Sequence, residues 1–294
     1  MSRAGGVIKR TLIAFYDDQM THHAAALTYY ALMSLFPAAL LGLSLLGLVG
    51  EFPKTYDAIM DYLEEVAPDS VIDPLDRSLR KAFLSKGTAA TTLALGVALT
   101  LYGTTGALEA ARRALNVVFE LDGSGRGFFR RKAIDICSTA VLMTLVLASL
   151  LLVFVGGRFA DDLLGFLGLD AAAQYWDYVR WPAALVVATL AFAFVYYVTP
   201  DVRQRAFHWL TPGAIVAVGL WLCASLGLSA YVSRVADVGA VYGTFAGAIV
   251  LVGWLWLTNV ALLFGAELNA EIEREKEWDE GGPRLARLNR PARG

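Results

Sequence analysis

Two short stretches of this chain hold residue types that can do polar chemistry: Glu109, Arg112, Arg113 and Asn116 in one, Glu267, Asn269 and Glu271 in the other. Residues three or four apart share a helix face, so Glu109 can pair with Arg112 or Arg113, and the same groups can reach across to Glu267. Such a cluster either forms a cytoplasmic gate or headgroup site, or braces helix ends as an ion-pair network at the interface. Asn259 belongs with it, because its amide lies in an apolar run where hydrocarbon offers no hydrogen bond. We take Glu109, Arg112, Asn116, Asn259, Glu267 and Asn269 as a candidate substrate path or gate, with the structural network as the alternative. A basic run, Arg126, Arg130, Arg131 and Lys132 with Phe128 and Phe129 between, suits anionic lipid headgroups at about 1 kcal/mol per base. The plainer explanation is orientation of the helices in a membrane, and nucleic acid is not expected as a partner.

Other chemistry is missing. The histidines are His22, His23 and His208, and adjacent residues point about 100° apart on a helix, so the first two are poorly placed to hold one metal. There is no His-Glu-x-x-His motif, no nucleophile elbow, and no Gly-Lys-Ser or Gly-Lys-Thr of a phosphate-binding loop. No catalytic residue, metal or cofactor is therefore expected, and any ATPase belongs to a separate chain. Cys137 and Cys223 are expected to pack as small apolar residues, without a disulfide.

The elements that must position these residues are apolar helices. From Val238 to Ala266 the chain runs 29 residues without a charge, and about 20 suffice to cross a bilayer. Five more uncharged stretches have spanning length, giving crossings at 24–50, 87–108, 136–157, 181–200, 209–233 and 238–266. Hydrophobic residues make up 57% of the chain and charged residues 18%, against about 25% charged in soluble domains. Mean hydropathy is +0.53. The expected fold is all-α: a polytopic membrane protein with six transmembrane helices. None of the uncharged runs contains Asp, Glu, Lys or Arg, which disfavours a proton-driven carrier.

Ile8, Leu12, Phe15 and Tyr16 fall near one helical face, so residues 1–23 read as a cytoplasmic interfacial helix. The transmembrane domain covers 24–267. Between its first two spans, 51–86 carries Tyr56, Ile59, Met60, Leu63 and Val66 at helical spacing, then Leu75, Leu79 and Phe83, which predicts an outer helical cap. The connection from Arg158 to Arg180 predicts another amphipathic helix. Residues 268–294 form a charged tail, partly disordered at its Gly-, Pro- and Arg-rich end. Pro37 should kink the first span. Gly239, Gly243 and Gly247 repeat every four residues, a helix-packing face for a neighbour within the chain or in a second copy.

Lys and Arg set the orientation. Three lie in the N-terminal arm, six in the second connection, two in the fourth and six in the tail, against five, two and one in the first, third and fifth. Both termini are therefore expected in the cytoplasm. The net charge of −2 hides this asymmetry. No cleavable leader is expected, because the first apolar run follows Asp17 and Asp18 and is too long for one.

Residues Ala24 to Pro37 (AAALTYYALMSLFP), Pro212-Gly213, Tyr231-Val-Ser-Arg234, Tyr242-Gly243 and Gly265-Ala-Glu-Leu-Asn-Ala-Glu271 together resemble the YihY/BrkB family of bacterial inner-membrane proteins, over about Val7 to Arg274. The resemblance implies a six-helix inner-membrane protein with cytoplasmic ends. Its members have carried ribonuclease, virulence and lipid- or envelope-export labels. A pathway without formal charges, with polar inner ends, suits an amphiphile whose tail stays in apolar surroundings. The expected function is thus a transporter or flippase-like factor for phospholipid or another envelope amphiphile, with membrane lipids as partners. A scaffold for envelope-biogenesis proteins, with a homo-oligomer built on the glycine face, is the alternative, and a membrane ribonuclease stands below both.

Overall fold

The computed structural model describes residues 3–49, 56, 57, 60, 76, 77, 80, 103, 105–121, 128–154, 175–200, 211–234 and 246–279. Among the described residues the fold is all helical. Seven helices carry it: α1 (Arg3–Asp17), α2 (Met20–Val49), α3 (105–118), α4 (Phe128–Phe154), α5 (Trp176–Val198), α6 (Pro212–Arg234) and α7 (Ala246–Asp279). Among the described residues three segments are long and apolar enough to cross a membrane: Tyr178–Val198, Pro212–Ser233 and Ala246–Lys276, of 21, 22 and 31 residues. At 1.5 Å per residue they run from about 31 to 46 Å, against a hydrocarbon core of about 30 Å. Their surfaces remain greasy: Val186, Ile215 and Leu226 are more than half exposed.

Helix bounds depart from the uncharged runs in an instructive way. The last run was cut at Ala266 because a charge follows, yet α7 continues through Glu267 and Glu271 to Asp279. Glu, Leu, Ala, Arg and Lys are good helix formers, so the backbone has no reason to stop where hydropathy does. α4 likewise starts at Phe128, taking Arg130, Arg131, Lys132 and Asp135 into its first turns. Pro37 lies within the continuous span of α2, and its side chain is outside the described ones. Cys137 and Cys223 are free and exposed on α4 and α6 rather than packed, a correction explained by helices that keep apolar faces outward.

The chain divides into two compact units, Tyr29–Ala107 and the remainder. In the first, α2 meets the following helical segment at glycines: a Cβ at Gly103 would lie 3.0 Å from Ser34 Cα, and one at Gly106 2.6 Å from Tyr30 Cδ1. Of the predicted cap, Tyr56 and Met60 are buried. The Tyr56 hydroxyl donates to the Asp76 carboxylate, and Arg80 Nε bonds the same group at 2.8 Å while stacking 4.9 Å from the Tyr56 ring. The tyrosine bond, then the arginine, hold Asp76 below the usual carboxylate range.

The larger unit has its core at one end, built from Met20, Ala24 and Leu27 of α2, Ala111, Ala114, Leu115 and Val118 of α3, Ala193 and Tyr196 of α5, Ala214 of α6, and Leu263, Ala266 and Ala270 of α7. Alanine dominates because small side chains let helix backbones approach where lipid supplies no hydrophobic drive. α1 docks on the end of α7: Phe15 meets Phe264 at 5.8 Å between ring centroids, and Thr11 is fully buried. Its other face leaves Ile8, Leu12, Ile13 and Tyr16 at least half exposed, the pattern of an interfacial helix. The turn to α2 places Gln19 at φ 53°, and α3 ends with Glu120 at φ 54°. There Leu121 N–H bonds the Asn116 carbonyl at 2.8 Å, which closes the helix and aims Glu120 toward α7.

Candidate functional site

The polar residues singled out in the sequence make contacts in several places. Glu109 pairs with Arg113 at 2.6 Å on an exposed surface, where such a pair contributes little. Arg112 turns the other way and joins Asp135 of α4, both nearly buried. Asn116 lends its backbone carbonyl to the end of α3. Asn259 Nδ2 donates to Thr28 Oγ1 at 3.1 Å, and that hydroxyl donates to the Ala24 carbonyl, so the lone amide of the last span is anchored to α2. Asn269 accepts the Gly213 N–H at 2.8 Å and donates to Thr211 Oγ1 at 3.0 Å. It thereby satisfies a backbone donor in the first turn of α6 that no helix carbonyl can reach. At Arg112, Asn116, Asn259 and Asn269 the structural contact is explicit.

Glu267 differs. Its side chain is fully buried, and neither carboxylate oxygen has a hydrogen-bond partner. Around it, Glu271 accepts from Arg10 Nε at 3.1 Å and pairs with Arg274, while Arg274 Nη2 reaches Glu120 at 3.1 Å and the Val118 carbonyl at 2.8 Å. Arg10 also joins Glu275. The arginines at this end are thus engaged with other acids. An unpaired buried carboxylate is costly as an anion.

A second site lies farther along the same helix pair. α6 and α7 enclose a groove of about 530 Å³ lined by Ser225, Leu228, Ser229, Val232, Ser233, Gly247, Val250, Leu251 and Trp254. Its walls are aliphatic, and its polar groups are three serines at every fourth position of α6. Trp254 Nε1 donates to Ser225 Oγ at 3.0 Å and its ring lies 6.3 Å from Trp221, so the tryptophans close the end nearest the core. The sequence reading missed these serines, although their four-residue spacing was visible. Of the glycine face, Gly247 has no neighbour within the described residues: a Cβ there would meet nothing within 4 Å. The tight crossing is instead Gly213 with Gly265: a Cβ on either would come 2.1 or 2.4 Å from the other's carbonyl oxygen. Four-residue spacing marks one helix face, but only the partner helix decides which face is used.

Gly239, Gly243, Arg126 and His208 lie outside the described residues, as do the side chains of Arg130, Arg131 and Lys132. Among the described residues no group of three or more His, Cys, Asp or Glu is placed to hold a metal ion. His22 and His23 open α2. Burial holds His23 below the ordinary imidazole value, with Asp18 opposing and His22 adding to the shift.

Apolar helices of spanning length, flanked by an amphipathic helix and a charged end, define a helical integral membrane protein. The chain belongs to the BrkB family: the family described as Virulence factor BrkB matches residues 11–288. It is similar to the ribonuclease-like protein YfkH of Bacillus subtilis, 27% identical over 263 residues that cover 88% of this chain and 92% of that one. UPF0761 membrane proteins of Halorhodospira halophila and Nitrosospira multiformis are each 25% identical over 90% and 91% of this chain. The chain spans only 56% and 61% of those two relatives. No solved structure matches it.

Proposed function

We propose that this is a protein of the bacterial inner membrane that moves a phospholipid or another envelope amphiphile between leaflets, as a non-enzymatic factor without its own ATPase. On this reading the chain crosses six times with both termini in the cytoplasm. The crossings use α2, the segment leading into α3, then α4, α5, α6 and α7. The clamped ends of α6 and α7 face the cytoplasm and their groove lies in the outer half. The basic run opening α4 then meets the anionic headgroups of the inner leaflet.

The groove carries the proposal. Its volume falls within the range of about 300–1,000 Å³ typical of ligand sites. An acyl chain gains little by leaving lipid for an aliphatic wall, because both are apolar. The difficulty in moving a lipid is its head. Ser225, Ser229 and Ser233 present hydroxyls about 6 Å apart along α6, a ladder of about 12 Å within a core of about 30 Å. Glycerol and headgroup oxygens can exchange water for these hydroxyls while the tails remain in lipid.

Reconstituted protein in vesicles should speed the passage of a fluorescent phospholipid between leaflets. Ser229→Trp, which fills the groove, should slow it about tenfold, equivalent to about 1.4 kcal/mol, without lowering the melting temperature. No movement with the wild-type chain, or an unaltered rate with the filled groove, would sink the reading and favour the scaffold for envelope-biogenesis proteins. Purified protein should also leave RNA intact. Cleavage that disappears with His22→Ala or His23→Ala would instead bring the ribonuclease-like reading of YfkH to this chain.

A further inference from the structure

The uncharged runs argued against a proton-driven carrier, but that argument depended on ending the last run at Ala266. In the folded chain α7 carries Glu267 into the core end of the helix bundle without a break, one residue after the fully buried Ala266. We propose that Glu267 is a proton-binding site, and that its carboxyl gains and loses one proton in each cycle of the lipid movement proposed above, on which this second clause rests.

Three observations converge on it. The side chain is completely enclosed and both oxygens lack hydrogen-bond partners among the described residues, so the neutral carboxyl fits the site as it stands while the anion does not. The charges acting on it are unbalanced. Among the described residues, Asp18 at the α1–α2 turn, Glu120 at the end of α3 and Glu271 on α7 oppose a negative charge there, and Arg274 favours one. Arg274 is itself shared among Glu271, Glu120 and the Val118 carbonyl. α5 and α6 have their charged residues only at their far ends, Asp177, Arg180 and Arg234, and near Gly265 they contribute Tyr196 and backbone. Enclosure also selects the ligand, since a proton needs no volume whereas a metal ion or ammonium headgroup needs a shell of oxygens.

The step balances simply. The carboxyl O–H bond breaks, the proton passes to water on the side that carries α1 and the end of α7, and the carboxylate left behind competes with Glu271 and Glu120 for Arg274. Drawing Arg274 toward Glu267 loosens its hold on Val118, and with it the docking of α3 on α7. Reprotonation restores the contacts seen in the structure. Proton occupancy is thereby tied to how firmly the clamped ends are held, about a dozen residues along α7 from the groove.

Infrared difference spectra of the full chain in lipid nanodiscs test the site without any transport. Wild-type protein at neutral pH should show a protonated-carboxyl band that Glu267→Gln removes and that fades as pH is raised. A spectrum without that band at neutral pH overturns the site, even if lipid moves normally. In vesicles, an imposed pH gradient should accelerate lipid movement by the wild-type chain, and Glu267→Gln should lose that acceleration. Equal acceleration of both, or none in a wild-type chain that moves lipid, overturns the coupling. If the band behaves as expected but no lipid moves, the proton site stands and the lipid reading falls together with the cycle attached to it.

Discussion

The two ends of the α6–α7 pair use the same residue for opposite purposes. Near the core, Gly213 and Gly265 bring the helices so close that a single methyl on either would strike the other's carbonyl oxygen, at 2.1 or 2.4 Å. At the far end, Gly247 borders the groove with open space around it, and Gly219, Gly227 and Gly253 are equally free of neighbours. Asn269, Tyr196 and the fully buried Leu263, Glu267 and Ala266 cluster around the closed end, while Trp254 and Ser225 mark where closure stops. Two antiparallel helices are thus clamped at one end and parted at the other. The glycines that matter to this geometry are those with something opposite them.

The sharpest way to break the comparison is to add the same methyl at both ends. Gly265→Ala should destabilise the protein by about 2–3 kcal/mol, because the clash is with the Gly213 backbone and the Tyr196 hydroxyl rather than with a flexible side-chain tip. Gly247→Ala should stabilise it by up to about 1 kcal/mol, since alanine is the better helix former and nothing stands in its way. Thermal melts in one detergent compare the two directly. Shifts of the same sign would mean that clamp and groove are not separate environments.

Hydropathy made the helices legible, because an uncharged run of spanning length leaves the backbone no other way to satisfy its hydrogen bonds in lipid. Helices α5, α6 and α7 lie near the runs expected for the last three crossings for that reason. What one chain read in order cannot supply is the facing partner. Helical spacing offers Glu109 both Arg112 and Arg113, and the Arg113 pair forms, but spacing cannot announce that Arg112 joins Asp135 from another helix. Asn259 correctly demanded a partner, and the partner is Thr28, more than two hundred residues away. Gly265 enters the sequence reading only within a motif and Asn269 as a candidate path residue, although both form the clamp with Gly213. The serine ladder was passed over because serine in a spanning helix is common and satisfies itself on its own backbone, as Ser233 does on the Ala230 carbonyl.

A finer test addresses the clamp's polar half. Asn269→Ala removes the acceptor of the Gly213 N–H and the donor to Thr211 together. The loss should be about 1–2 kcal/mol, in the range of a lost helix cap with a donor left unsatisfied. Asn269→Asp keeps the acceptor and should recover part of it. If the two variants melt alike, the bond to Thr211 rather than the cap on α6 holds the clamp.

The smallest effect concerns pH and distinguishes the two ends by what they can titrate. The groove lining holds serine, glycine, aliphatic residues and one tryptophan, none of which changes charge near neutrality. The closed end includes His23, half-buried beside the turn from α1 into α2 and held below its ordinary value of 6.5 chiefly by burial. A histidine whose folded value is depressed binds more protons when unfolded, so its contribution to stability is complete above 6.5 and is lost as pH falls through the lower folded value. The wild-type melting temperature should therefore decline as pH falls from 6.5 through the lower folded value, and His23→Gln, which cannot charge, should decline less. The Asp18 carboxylate favours the charged imidazole and keeps the difference small, whereas protonation of His22 works against it. Superimposable profiles for the two chains would remove His23 from the clamp's electrostatics and leave its acids to account for any pH dependence at that end.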